Sequence, residues 1–326
     1  MKHDLRQDGV GYRLRPVSIK DAKFIIDLRL EDQARNQFIH AISSDVALQE
    51  EWLKRYFEQE GDYYFVVENK LTCEPEGLIG IYDSDQRKAE WGRWVIKKGS
   101  LATTESLDLL FKVAFNQLKL DELFCRTICD NERVVALHNS LPQLKRGVLE
   151  DFLELNDTKY DVVEHYVTPQ HYFDMLQSGL EKKAMLIFQR NLRALIGTLE
   201  FHHIGVATTD IEKEFQSYRF LGYEREAASF EDSEQGIKGQ FIVAPGQPRL
   251  ELLENLVGST TLDAWIDKKI QMYHFAYKVT DIEAAINVLN KNRIRVISPL
   301  KTSVYFGRRI CFLMLSPTFL IELIEH

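Results

Sequence analysis

Two stretches of this chain repeat one pattern. "FHHIGVATTDIEKEF", from Phe201, and "YHFAYKVTDIEAAI", from Tyr273, align at an offset of 71 residues, so His203 falls on His274, Asp210 on Asp281 and Glu212 on Glu283. The same offset places Glu251 of "RLELLEN" on Glu322 of "FLIELIEH". Matches at both ends with one spacing mark an internal duplication, and a duplicated unit must fold twice and bury its apolar face against its copy. Each copy reads as strand, helix and three strands. The duplicated half is predicted to be one domain, 200–326.

The remaining half reads differently. "YRLRPVS" alternates as a strand, and "IKDAKFIIDLRLED" has helical spacing with Ser18 as its cap. "DYYFVVEN" and "GLIGIYDSD" read as strands joined by a turn containing Pro75 and Gly77, followed by the strand "AEWGRWVIKK". In "TTESLDLLFKVAFNQLK", Leu107, Leu110, Phe111, Ala114, Phe115 and Leu118 share one helical face. "LFCRTICD" is a strand, and "NERVVALHNSL" a short helix that begins at Asn131. The order β-α-β-β-β-α-β-α is a mixed α/β (α+β) domain, assigned to 1–190.

The 326 residues suffice for two such domains, and 45% hydrophobic with 28% charged residues is the balance of a globular protein. A net charge of -8 with no long Lys/Arg run excludes nucleic acid and anionic membrane as expected partners. No stretch reaches the roughly 18 apolar residues of a membrane span. The opening "MKHDLRQDGVGYRLRP" lacks a signal-peptide core, and the four cysteines form no C-x-x-C pair, so the expected location is the cytoplasm.

Through "HHIGVATTDIE", "RLELLE", "YHFAYKVTDIE" and "LIELIE", the duplicated half resembles the vicinal-oxygen-chelate superfamily, notably its methylmalonyl-CoA epimerase and glyoxalase branches. The resemblance implies two βαβββ units forming a cupped sheet, with a divalent metal on His203, Glu251, His274 and Glu322. Imidazole and carboxylate suit a divalent transition metal. A cluster of buried, hydrogen-bonded side chains without an ion is the alternative. His202 is expected on the opposite face of the strand, without a role.

Through "YRLRPVSIKDA", "GLIGIYDSD", "AEWGRWVIKKGSLATTESLDLLFKVAFNQLKL" and "DNERVVALHNSL", the first half resembles the GNAT acyltransferases. That resemblance implies acyl-CoA as cosubstrate. Its diphosphate would sit at the start of the long helix, on Lys97, Ser100, Leu101, Ala102, Thr103 and Thr104, where the helix dipole favours an anion. Glycines usual inside this loop are missing. The pantetheine arm would lie between parting strands, beside Val95 and Asn131. His138 stands where the family has a Tyr that protonates the leaving thiolate. Glu90 or His40 would be the base, and Arg35, Asn36 and Phe38, with His40, would border the acceptor.

The pairing of the two halves resembles bacterial sugar-nucleotide N-acyltransferases. It implies acylation of a nucleotide-linked, dTDP-type amino-deoxysugar for surface polysaccharide, with small molecules as partners and a homodimer left open. Two alternatives stay open: a bifunctional enzyme whose second domain epimerises or isomerises acyl-CoA, and a protein N-terminal acetyltransferase.

Overall fold

Tyr64, Phe65, Val66 and Val67 are all buried, and their alternation sets the layering of the amino-terminal half. Phe65 and Val67 pack with Leu14, Ile79, Ile81, Leu110 and Phe111 on one face of a sheet. Tyr64 and Val66 pack with Ile25, Leu28, Leu53, Tyr56, Leu78 and Val95 on the other. Each large apolar side chain removed from water contributes roughly 1.5–3 kcal/mol.

The computed structural model describes residues 3–32, 36–141, 144–155, 157–316 and 319–326. It forms two units, Met1–Gln189 and Arg190–His326. In the first, the strands are β1 (Gln7–Asp8), β2 (Tyr12–Pro16), β3 (Tyr63–Asn69), β4 (Pro75–Asp85), β5 (Lys88–Ile96), β6 (Glu122–Ile128), β7 (Leu144–Leu155) and β8 (Thr158–Val167). They form one sheet in the order β1-β2-β3-β4-β5-β6-β8-β7. The helices are α1 (Ala22–Leu30), α2 (Val46–Tyr56), α3 (Thr103–Lys112), α4 (Glu132–Ser140), the single turn α5 (Pro169–His171) and α6 (Gln177–Ile196). The apolar face of α3 supplies Leu107, Leu110 and Phe111 to the core, and α1 and α2 cover the opposite sheet face.

Several elements differ from the sequence reading. Ser18 precedes a 3₁₀ turn, Ile19–Asp21, and its N–H and hydroxyl both donate to Asp21 Oδ2, at 2.7 and 2.8 Å. Pro75 and Gly77 lie inside β4, and the turn is at Asn69–Glu74, where Asn69 Oδ1 accepts from Leu71 N–H and Cys73 adopts a φ of 61°. Proline is tolerated there because it is the strand's first residue. The β7–β8 hairpin was absent from the expected order.

In the second unit, copy one contains β9 (Leu199–Ala207), α7 (Ile211–Arg219), β10 (Glu224–Arg225), β11 (Phe230–Asp232), β12 (Ile237–Val243) and β13 (Leu250–Asn255). The linking turn is α8 (Asp263–Asp267). Copy two contains β14 (Met272–Val279), α9 (Ile282–Lys291), β15 (Arg295–Val296), β16 (Lys301–Thr302), β17 (Arg309–Ser316) and β18 (Phe319–Glu325). The middle strand of each expected trio, β12 or β17, pairs with two short pieces that together stand for the first. The duplicated aspartates do the same work twice: Asp210 caps α7 through Lys213 N–H, and Asp281 caps α9 through Ala284 N–H. Within each copy the first and last strands pair in parallel, and β9 joins β14 antiparallel. Among the described residues no helix is long and apolar enough to cross a membrane.

Candidate functional sites

Parallel strands β5 and β6 pair only from Lys88↔Glu122 to Glu90↔Phe124. Beyond those residues they part, although β5 runs on to Ile96 and β6 to Ile128. Toward β4, β5 carries a bulge: Arg93 and Trp94 together oppose Ile79, and Arg93 has a φ of 49°. The extra residue resets the side-chain alternation. Trp91 and Trp94 therefore both turn to the α3 face, 5.7 Å apart, where Trp94 Nε1 donates to Ser106 Oγ. Glu90 and Val95 turn to the α1–α2 face, where they line a cleft.

The loop after β5 ends at a helix that no side chain caps. Gly99 takes a left-handed φ of 82°, and Ser100 Oγ donates to Glu76 Oε2 at 2.6 Å while accepting from Ala102 N–H. The first-turn N–H groups of α3 are thus left to solvent or an anion. The loop borders a cavity of about 730 Å³, which Lys98, Gly99, Ser100, Leu101 and Thr103 share with Asn131 and Arg133 at the start of α4.

A second cavity, of about 600 Å³, lies on the α1–α2 face of the sheet and shares Phe38 with the first. Its aromatic wall includes Trp52, Tyr64, Tyr82 and Phe152. Arg93 stacks over Tyr82, 4.7 Å from the ring centre, and pairs with Asp62 at 2.8 Å. Burial pushes the Tyr64 hydroxyl up to about 12. Arg126 lies between the Phe124 and Phe152 rings and pairs with Glu90 at 2.8 Å and Glu164 at 3.1 Å. Burial raises the Glu90 carboxyl above its ordinary range, and the Arg126 charge opposes that rise. Arg29 is half-buried at the end of α1, and its Nη2 donates to the His40 carbonyl. Among the described residues no carboxylate pairs with it. Burial lowers the Arg29 pKa, Tyr64 opposes that change and Arg93 reinforces it.

In the second unit, one side chain from each of the four adjacent strands β13, β9, β14 and β18 converges. His203 Nε2 lies 3.0 Å from Glu251 Oε2, 3.0 Å from His274 Nε2 and 3.4 Å from Glu322 Oε2. His274 Nε2 lies 3.5 Å from Glu251 Oε2 and 3.7 Å from Glu322 Oε2. Burial pushes the Glu251 carboxyl up, but the His203 charge and hydrogen bonds from His203 and His274 outweigh it and hold the group at about 2. Glu322 is pushed well above its ordinary range, by burial and then by the Glu251 charge. Gly205 makes room for the His274 ring, since a Cβ there would stand 2.0 Å from His274 Cε1.

Comparison with known families matches residues 12–141 to the acetyltransferase (GNAT) domain. The amino-terminal unit carries a GNAT acetyltransferase domain. The chain is therefore an acyl-CoA-dependent N-acyltransferase, with acyl-CoA as cosubstrate. Residues 202–312 match the glyoxalase/bleomycin resistance protein/dioxygenase superfamily. Similar solved structures include a spermidine N-acetyltransferase SpeG mutant from Vibrio cholerae, 20% identical over 50% of this chain and 97% of that one, with a TM-score of 0.44. Another is apo FdhC, described as a nucleotide-linked sugar GNAT, 20% identical over 58% of this chain and 98% of that one, with a TM-score of 0.44. Comparison with curated proteins finds no match.

Within the GNAT domain, Glu90, Val95, Phe38 and His40 line the second cavity, and Ser100, Leu101, Thr103 and Asn131 line the first. Of the other expected loop residues, the Ala102 side chain is buried in the core, and Lys97 and Thr104 are not among the residues that line the first cavity. Asn36 lines neither cavity, and its amide donates to the Leu28 and Arg29 carbonyls and closes the end of α1. Residues 36–39 form a turn. Arg35 lies outside the described residues. His138 borders neither cavity, because α4 turns it inward against Trp91 and His165, with Cys125 Sγ 3.9 Å from its Nε2. Sequence reasoning missed Arg29, Arg93 and Arg126, which looked like ordinary surface charges of a helix and two strands.

The glyoxalase-superfamily domain also departs from expectation at His202. This residue is the extra one in a β9 bulge, between the pairs Ala276↔His203 and Tyr277↔Phe201. Its ring therefore reaches His203, with their Nδ1 atoms 2.8 Å apart, and Arg249 Nη1 donates to its Nε2 at 3.0 Å. Burial, with the nearby His203 and Arg249 charges, lowers the His202 pKa to about 3.

The cluster fits a divalent cation. Ligands at about 2.0–2.2 Å around a tetrahedral ion lie about 3.3–3.6 Å apart, close to the separations above. Glu322 Oε2 is buried and has no hydrogen-bond partner among the described residues. A bound ion would satisfy that oxygen, offset the two carboxylate charges and supply Lewis acidity at the cluster's centre.

Proposed function

We propose that this chain acylates the amine of a nucleotide-linked amino-deoxysugar, of the kind consumed in surface polysaccharide assembly. The observation that carries this reading is Arg29, a half-buried cation in an aromatic cleft with no carboxylate beside it among the described residues. A diphosphate supplies the missing charge, and a base would pack against the aromatic lining of the cleft, which includes Phe38, Trp52 and Tyr82. A polycation is the wrong occupant. Arg93 is paired with Asp62 and Arg126 with Glu90 and Glu164, so the charge that faces the cleft without a carboxylate partner among the described residues is the Arg29 cation.

In this reading the acyl-CoA diphosphate meets the uncapped start of α3, and the thioester enters the gap where β5 and β6 part. Glu90 accepts a proton from the acceptor amine. The nitrogen attacks the thioester carbonyl, the C–S bond breaks, and the thiolate leaves with the bonding pair and is reprotonated. Arg126 holds the Glu90 carboxylate in place.

The test is a thiol-release assay crossing several acyl-CoAs with dTDP- and UDP-linked amino sugars, polyamines and peptide amines. Turnover confined to the nucleotide-linked amines supports the reading. Turnover with peptides or polyamines and none with any nucleotide sugar overturns it.

A further inference from the structure

Six charges of alternating sign run across the α1–α2 face of the first unit's sheet. Arg126 Nη1 donates to Glu90 Oε2 at 2.8 Å, and Arg126 Nε donates to Glu164 Oε2 at 3.1 Å. Arg146 Nη1 donates to the other Glu164 oxygen at 2.8 Å, and its Nη2 to Glu122 Oε2 at 2.7 Å. Lys88, on the same strand as Glu90, closes the circuit 3.5 Å from Glu122 Oε1.

Strand register builds this circuit. Lys88 opposes Glu122 across β5 and β6, and Arg126 opposes Glu164 across β6 and β8. On β7, Arg146 is the extra residue of a bulge, between the pairs Lys145↔His165 and Gly147↔Glu164. From there its guanidinium spans two carboxylates while stacking 4.5 Å from the centre of Tyr166. Glu164 is only 5% exposed, and a buried carboxylate stays ionised only where cations meet it. It has two, and one of them also holds Glu90. The two carboxylates therefore share Arg126.

We infer that Glu164 and Arg146, neither of which lines the cleft, are positioning residues that set how strongly Arg126 holds Glu90. The inference rests on the reading of Glu90 as the base. Arg146 satisfies Glu164 from the far side and so leaves the Arg126 charge to Glu90. Burial raises the Glu90 pKa, Arg126 opposes that rise, and the Asp83 and Glu164 charges add to it. Tyr82 on β4 and Cys125 on β6 are coupled to Glu90 as well. Arg29, Tyr64, Arg93 and His40 share its cavity. All of these stay in place in the test, so a change in Glu90 traces to the two residues altered.

The test labels the glutamate carboxyls of the full chain with ¹³C and follows the Glu90 signal, identified by its loss in Glu90→Gln, through a pH titration. Arg146→Met should move the Glu90 midpoint to higher pH, because Glu164 then draws on Arg126 alone. Glu164→Gln should move it to lower pH, because a raising charge is gone. In the double variant, Arg146→Met should add little, since the carboxylate through which it acts is absent. Arg146→Lys should restore the unaltered midpoint. The acid limb of kcat/KM, measured with acetyl-CoA and a dTDP-linked amino-deoxysugar, should move in the same directions. Below that limb Arg146→Met should lose about 2- to 10-fold. Midpoints that stay in place, or that move the same way in both single variants, overturn the inference. If they do so while Glu90→Gln still loses kcat, the inference alone falls. If Glu90→Gln keeps its kcat, the base reading falls and the inference with it.

Discussion

Glu90 and Arg126 project from neighbouring strands at the point where β5 and β6 separate, and their side chains meet at 2.8 Å. The carboxylate is thereby fixed beside the gap proposed for the thioester. If Glu90 takes the amine proton, Glu90→Gln lowers kcat about 10²–10⁴-fold and leaves the KM for acyl-CoA nearly unchanged. Steady-state kinetics with both substrates varied gives the answer, and an unchanged kcat removes Glu90 from the mechanism.

Arg126 bears on the same step through pH. Burial raises the Glu90 pKa and the guanidinium opposes that rise. Arg126→Met removes the opposition, so the carboxyl moves further up and a smaller fraction is ionised at any given pH. The acid limb of kcat/KM is then expected at higher pH than in the unaltered chain. A limb that stays in place, or moves to lower pH, contradicts the assignment.

Arg29→Met tests the proposed anion site. A charge-assisted hydrogen bond of ordinary strength corresponds to a rise of about 10- to 100-fold in the KM for a nucleotide-linked acceptor. The KM for acyl-CoA is expected to hold, as is activity toward an amine without phosphate. Equal losses with both kinds of acceptor would assign Arg29 to the packing of α1.

Legibility followed local periodicity. The duplication gave away a strand followed by a helix in each copy, and "DYYFVVEN" gave away a strand, whereas the caps Asp210 and Asp281 and the burial of Tyr64–Val67 on two faces emerge from the structure. Bulges broke the rule. One extra residue at Arg93 put Trp91 and Trp94 on the same face. Another at His202 turned that ring toward His203, and its counterpart at the equivalent position of the second copy, Tyr273, packs against His274. A bulge is a pairing event between strands distant in sequence, so period-two reading cannot register it. The β7–β8 hairpin escaped because most of β7 is exposed and its charged residues interrupt the apolar pattern.

Asp21 links sequence to acid stability. It is buried, pairs with Arg15 through two bonds of 2.8 and 3.0 Å, and accepts from Ser18. Burial pushes its pKa up, but Arg15 and Ser18 outweigh that and lower it. A depressed folded-state pKa stabilises above the unfolded value of about 3.9 and is lost as pH falls through the folded value. Asp21→Asn is expected to cost roughly 1.5–3 kcal/mol near neutrality, a deficit that shrinks below about pH 4. Urea unfolding from pH 3 to 7 measures it, and a deficit that grows on acidification would reverse the sign argued here.

Gly205→Ala tests the cup from beneath. Gly205 pairs with His274 across the β9–β14 seam, and a methyl group there would stand 2.0 Å from Cε1, 2.3 Å from Nδ1 and 2.5 Å from Nε2 of that ring. No rotation of a methyl group relieves such contacts, so the imidazole or the strand must move. The ring is buried among Tyr273, Phe312 and His203, which leaves it little room. Overpacking of this kind costs about 1–3 kcal/mol. Displacing one ligand also weakens Zn²⁺ binding by at least about 10-fold if the cluster holds the ion. Denaturant unfolding of the chelated chain reads the first effect, and competition with a chromogenic chelator reads the second. A Gly205→Ala chain with unaltered metal affinity would show that His274 Nε2 is not a ligand.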